Sequence, residues 1–490
     1  MPRRFLGHVS EHTLEARAVA ACTGAFVADA ASLWADGYVT RILLCVRVLA
    51  SDRNVPITAS HLISCSLSSP SEVAAAVVRE GSAVFLPPQT PRPSHGSHSS
   101  HVPGNPSHHG ETLAVLLRSL TANVDGNRGS NPSTATFAAP RGLHAPSFLR
   151  AFSNAFGSTG SFVGFTDSVT RAIIGTLLTQ EEVHKRIITP ASAVISDEAL
   201  RAAAREQLVP LVERVEHDDV PAAAAALAGS VAPSAPPYDV AAFVSLASAL
   251  ADSFATWVGA GGRETVGLAL LPALVARYAG HADLPHLMSK GVRVVQTHED
   301  AQVWLLWAAR VLEAVILGVP PRAAVVSCLV RLEQPFRAAV EAAVHAADAD
   351  AAAAAAAATG EGAATPQQLH ARLLDVTARL GTTGDLSKAL PCAVYLVLRH
   401  GNSATVDTFT AAVTDNVLAG GDACGRALFI GGILGAAAAT VPAALLAQVA
   451  EPLRLELAEL TSHIHVPVDG PSVEEGHIFA QRVPHAAAPA

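Results

Sequence analysis

Five histidines crowd the stretch PPQTPRPSHGSHSSHVPGNPSHH at 87–109: His95, His98, His101, His108 and His109. Imidazole nitrogen is a common metal ligand, so the run could hold a metal. Its Pro, Ser and Gly content fits a solvated low-complexity loop better, and that reading is adopted. Glu111 follows Gly110 at a helix start. A carboxylate there suits the helix dipole whether or not it also binds something. Asp422 opens the helix that begins DACGRALF and serves equally well as an N-cap or as a ligand. Arg426, in an apolar run, either pairs with a buried acid or meets a phosphate, and the ion pair is preferred. His298, near Trp304, reads as a packed histidine before a substrate contact. Asp29, in ADAAS, reads as a turn or cap residue before a ligand.

The six cysteines, Cys22, Cys45, Cys65, Cys328, Cys392 and Cys424, form no CxxC pair. In a chain of 490 residues they read as buried free thiols rather than a disulfide scaffold, and Cys424 as a small buried hydrophobe. The net charge is -9, with no basic stripe and few aromatics. Nucleic acid is therefore not an expected partner, since binding it needs Lys and Arg to displace counterions. Half the residues are hydrophobic and only 15% are charged, with Ala filling the gap. That composition supplies a large core and favours helices. The charge-free segment Ala427–Val449 is long enough to span a membrane, yet its small residues fit a tightly packed buried helix. No membrane partner is expected, no secretory signal opens the chain, and a cytoplasmic location is the default.

These residues need elements to position them. A helix is expected over 11–33, entering a small-residue turn at TGAFVADAAS. Residues 39–50 are compatible with strand or helix. Residues 111–124 place Leu113, Leu116, Leu117 and Leu120 on one helical face. Residues 125–147 read as loop. Residues 198–230 read as helix with Ser196 or Asp197 as cap, and PSAPP at 233–237 breaks the chain. Residues 292–318 read as one clear helix. The Ala-rich run 341–366 reads as a linker or marginal helix, 367–460 as helices broken at Gly381–Gly384 and Gly401, and 466–490 as a loose tail. No period-two alternation and no fixed repeat is present. The expected fold is all-α: a single helical domain over 11–465, with insertions near 37–70, 87–109 and 341–366.

Four islands, in order, resemble the ADP-ribosylglycohydrolase superfamily: GAFVADAASL (24–33), HGETLAVLLRSL (109–120), GFTDSVTRAIIG (164–175), and LPCAVYLVLRH (390–400) with FTAAVTDNVLAGGDACGRALFIGGILGA (409–436). The third is weak by itself, and the last is the most specific. The stretch 292–318 also looks like the family's Thr-His helix. The HGE-type site, and GGDAC in place of GGDTD, are similar to a branch related to jellyfish J-type lens crystallins.

The resemblance implies a compact orthogonal bundle of helices that cleaves the glycosidic bond between ADP-ribose and an acceptor, using a pair of Mg²⁺ ions. Two such ions need converging oxygen ligands. Carried over, the metal positions fall on Asp36, Glu111 and Asp422, with Glu111 and Asp422 also the catalytic candidates. Asp29, His298, Gly420, Gly421 and Arg426 are the implied substrate contacts. Two aspartate positions are lost, to Gly110 and Cys424. The implied Mg²⁺ site is therefore weak or lost. A Zn²⁺ site of His109, Glu111, Asp422 and Cys424 is the alternative. The implied ligand is ADP-ribose or an ADP-ribosylated acceptor, which the chain hydrolyses or merely binds. The alternative is a non-catalytic crystallin-like or binding protein.

Overall fold

The computed structural model describes residues 11–33, 104–125, 143, 145–157, 160–162, 164, 166–183, 259–358, 366–400 and 405–464. Expectations for 39–50, 198–230 and the tail, and for Cys45 and Cys65, lie outside these residues. The chain divides into two units, one of residues 1–169 with 261–490, the other of residues 170–260. The elements described below belong to the first unit, apart from most of α4.

Among the described residues the regular structure is helical, and the all-α expectation holds. The helices are α1 (Glu11–Ser32), α2 (His108–Asp125), α3 (Ala145–Phe156), α4 (Ser168–Val183), α5 (Leu271–Tyr278), α6 (Leu284–Val295), α7 (Glu299–Ile316) and α8 (Pro321–Leu329). They continue as α9 (Phe336–Ala358), α10 (Pro366–Leu380), α11 (Leu386–His400), α12 (Val406–Ala419), α13 (Ala423–Ala438), α14 (Ala443–Leu446) and α15 (Glu451–Ser462), and a 3₁₀ turn over Thr265–Leu270 leads into α5. An isolated bridge pairs Glu264 with Asp385.

The core is built around α1 and α13, which run against each other at backbone contact. A Cβ on Gly24 would lie 2.3 Å from the Gly431 carbonyl oxygen, one on Gly431 would lie 2.2 Å from the Gly24 oxygen, and one on Gly435 would lie 2.3 Å from the Ala20 oxygen. This crossing explains one departure from expectation. TGAFVADAAS is not a turn but the C-terminal half of α1. Its small residues are there because the partner helix leaves no room for larger ones, not because the chain bends. Every residue of α13 from Ala423 to Ala436 is buried. No helix among the described residues is long and apolar enough to cross a membrane.

On α2, Leu113, Leu116, Leu117 and Leu120 are all buried, as their spacing demands. The expected single helix over 292–318 is two. Gln296 is extended between α6 and α7, and its amide donates to the carbonyls of Gly262 (2.9 Å) and Glu264 (2.8 Å). That fastens the segment entering the 3₁₀ turn. The Ala-rich run is helical through Ala358, within α9. Asp350 is buried there, accepts from Tyr395 at 2.5 Å and pairs with Arg399 and Arg372. A buried carboxylate met by two guanidinium groups and a phenol ties α9 and α10 to α11.

Candidate functional site

Two helix N-termini meet in the chemistry of this molecule, those of α2 and α13. The chain enters α2 through Ser107, whose backbone N–H (2.8 Å) and hydroxyl (2.5 Å) both donate to the Asp29 carboxylate on α1. The same hydroxyl accepts the His109 backbone N–H at 3.0 Å, capping the helix. Asp29 thus clamps the start of α2 to α1. Burial pushes the Asp29 carboxyl up to about 6, although the Ser107 donors and the His109 charge oppose the shift.

α12 ends at Gly420 and Gly421, whose φ angles are 65° and 72°. This left-handed geometry suits glycine. A Cβ at Gly421 would also lie 2.1 Å from the Thr382 carbonyl oxygen. Arg426, fully buried, holds this turn from inside α13. It donates to the Asn416 side-chain oxygen (2.9 Å) and to the carbonyls of Thr382 (2.9 Å), Asn416 (3.2 Å) and Gly420 (2.6 Å). The ion pair preferred from the sequence is replaced by these neutral carbonyl acceptors. Asp422 then caps α13, accepting from the Gly425 N–H at 2.9 Å. Its other oxygen accepts from the Thr265 hydroxyl.

His109 joins the two helix starts. Its Nε2 lies 3.6 Å from Asp422 Oδ1 and 3.4 Å from Thr265 Oγ1. The first distance is too long for a hydrogen bond, so charge holds the pair. Burial disfavours the imidazolium, but the carboxylates of Asp422, Asp167 and Asp29 outweigh it and raise the His109 pKa to about 9. Burial also works against the Asp422 carboxylate. His109, the Thr265 hydroxyl and the Gly425 N–H override it and hold Asp422 well below the usual carboxylate range. His108 stacks on His109 with ring centroids 3.8 Å apart, and its Nε2 lies 3.6 Å from Asp167 Oδ2. Burial, with the His109 charge, lowers the His108 pKa.

Of the residues singled out from sequence, Asp422, Gly420 and Gly421 stand together at the α12–α13 junction. Glu111 is turned to another partner: Arg118 donates to it at 2.8 Å while also binding Glu456 of α15. Two residues beyond His109, it leaves α2 from a different side. His298 caps α7, its Nδ1 accepting from the Asp300 N–H at 3.2 Å. Cys424 Sγ points to the Asp29 carbonyl at 3.7 Å, within the core. Asp36 lies outside the described residues. Sequence reasoning passed over His108, Asp167 and Thr265. The first was assigned to a solvated loop but begins α2. The second sits in the weakest of the four islands, GFTDSVT. Thr265 carries no motif at all.

His108, His109 and Asp167 bring one ligand atom each within 4.8 Å of one another, so the His/Asp cluster could hold a metal ion. A solved structure described as an "ADP-ribosylglycohydrolase-related protein complex" is similar to the chain, with a TM-score of 0.42 and 13% identity, over 93% of this chain and 98% of its own. No curated protein matches the chain. The family model for ADP-ribosylglycohydrolases matches residues 10–471, which takes in α1, α2, α13 and every residue of the cluster between them. The chain belongs to the ADP-ribosylglycohydrolase family.

Proposed function

We propose that this protein binds the ADP-ribosyl group of a modified acceptor where α2 and α13 begin, with its dependence on Mg²⁺ weak or lost. The observation that carries the reading is the arrangement of His109 and Asp422 at two helix N-termini, bridged by Thr265 of the 3₁₀ turn. Such ends offer backbone N–H groups to anions, as a pyrophosphate requires. Gly420 and Gly421 let a ligand approach the backbone closely. In this reading Asp422 is the carboxylate that faces the ribose. Asp29, His298 and Arg426 hold the elements around it, and Glu111 acts through Arg118.

Two Mg²⁺ ions do not fit these residues. A Cβ at Gly110 would lie 2.2 Å from Asp29 Oδ2, so a carboxylate could not replace this glycine without displacing Asp29. Cys424 offers buried sulfur where oxygen is needed, and Glu111 is engaged by Arg118. Among the described residues, octahedral oxygen coordination has too few donors here. The zinc set of His109, Glu111, Asp422 and Cys424 is not assembled either, because Glu111 and Cys424 face other partners.

Isothermal titration with ADP-ribose, with and without Mg²⁺, tests the proposal. Binding with little dependence on Mg²⁺ is expected, and no binding under either condition would overturn it. A second reading, a non-catalytic scaffold of the crystallin-related kind, is favoured by one observation. Both Asp422 oxygens are already engaged, by Thr265, Gly425 and His109. ADP-ribose binding without release from an ADP-ribosylated peptide would select a binding module; absence of both would select the scaffold.

A further inference from the structure

The imidazoles of His108 and His109 are 3% and 2% exposed and lie face to face. Neighbours in a helix diverge by about 100° around its axis, and these two rings meet in the first turn, where Ser107 and Asp29 anchor the backbone. A carboxylate stands beside each ring: Asp167 at 3.6 Å from His108 Nε2 and Asp422 at 3.6 Å from His109 Nε2. The His108–Asp167 separation approaches the spacing of about 3.3 Å expected between two donors bound tetrahedrally to one ion at about 2.0–2.1 Å. His109 Nδ1 is buried and has no hydrogen-bond partner.

From this we infer that His108, His109 and Asp167 form a mononuclear site for a divalent transition cation of the zinc class, with Asp422 flanking it. Two nitrogens and one carboxylate suit Zn²⁺ and its neighbours, and poorly suit Mg²⁺, which seeks an all-oxygen shell. Three protein ligands leave a fourth position for water or a substrate oxygen, the pattern of catalytic rather than structural zinc. The outer support is present as well. The Thr265 hydroxyl lies 3.4 Å from His109 Nε2 and bonds Asp422, the kind of second contact that orients a ligand ring. Asp167, immediately before α4, retains partial exposure, so an ion has a way in. The site shares His109 with the proposed ADP-ribose site, but its occupancy is read without ADP-ribose.

The test uses full-length protein without a histidine tag, stripped with chelator. Zn²⁺ is titrated against a chromophoric indicator, and Co²⁺ uptake is followed by its visible absorption. One equivalent of Zn²⁺ should bind, with a Co²⁺ spectrum of a four- or five-coordinate ion, and millimolar Mg²⁺ should not compete. His108→Gln and Asp167→Ala should each weaken Zn²⁺ binding at least about tenfold. Asp167→Ala, at a half-buried position, keeps the test meaningful should a histidine variant unfold, and circular dichroism of each variant without metal checks the fold. The histidines His95, His98 and His101 are a competing zinc sink, so the triple substitution H95A/H98A/H101A is measured beside them and should leave the stoichiometry unchanged. The inference is overturned if the wild-type chain takes up no equivalent of Zn²⁺. It is equally overturned if uptake survives Asp167→Ala undiminished, or disappears with the triple substitution. None of these measurements contains ADP-ribose, so failure here leaves the ligand-binding proposal standing, and the converse holds.

Discussion

Gly110 and Asp29 are one feature seen from two helices. Asp29 Oδ2 occupies the space into which a side chain at 110 would grow, and its carboxylate is satisfied by Ser107. Asp29 is therefore committed to fastening α2, and burying it has a price in proton affinity. Its carboxyl titrates at about 6 when folded, against 3.8 for an ordinary aspartate. A raised folded pKa means the folded chain binds more protons between those two values, so stability falls as pH rises from about 4 to 6. The penalty is complete above that window. Two units correspond to roughly 3 kcal/mol. Asp29→Asn keeps an acceptor for one Ser107 donor and cannot ionise. The melting temperature of this variant should therefore change less between pH 4 and 6.5 than that of the parent. Parallel pH profiles for the two proteins would show that Asp29 does not carry the effect.

At the scale of elements, the crossing of α1 and α13 decides what sequence tolerates. Gly431→Ala places a methyl group 2.2 Å from a backbone oxygen that cannot step aside. Overpacking of this kind costs about 1–3 kcal/mol or more. Gly432, one residue on, meets nothing nearer than the Ala21 oxygen at 3.7 Å. Gly432→Ala should be neutral or stabilising by up to about 1 kcal/mol, the gain in helix propensity. Denaturant melts of the two variants should thus move in opposite directions or, at the least, differ by more than about 1 kcal/mol. Equal shifts would mean that the two helices do not meet at backbone distance. The same crossing explains why TGAFVADAAS reads as a turn from sequence: small residues punctuate turns and also line helix contacts, and only the partner helix distinguishes the two.

For the whole molecule, Gly110 and Cys424, standing where the resemblance implies carboxylates, predict a weak response to magnesium. Stabilisation by a ligand follows its occupancy of the native state, so millimolar Mg²⁺ should move the melting temperature by about 1 °C or less. A clear rise that disappears in Asp422→Asn would show that Asp422 still anchors a hard cation.

The sequence by itself determined the helical class, the buried face of α2 and the burial of α13, because periodicity and the density of small residues are local properties of the chain. It also marked Asp422, since a helix cap is a local pattern, while Gly420 and Gly421 were marked only by the resemblance of GGDAC to the family motif. Where the side chains point was decided by tertiary structure alone. Glu111 is bound by Arg118, seven residues along α2, which also reaches Glu456 on α15, while Arg426 is satisfied by carbonyls of the loop before α11 and of α12 and the turn that ends it. His108 and Asp167, 59 positions apart by subtraction of their numbers, face each other at 3.6 Å. No period or motif encodes that pairing. It is a tertiary contact at the first turn of α2, which Asp29 of α1 fastens through Ser107.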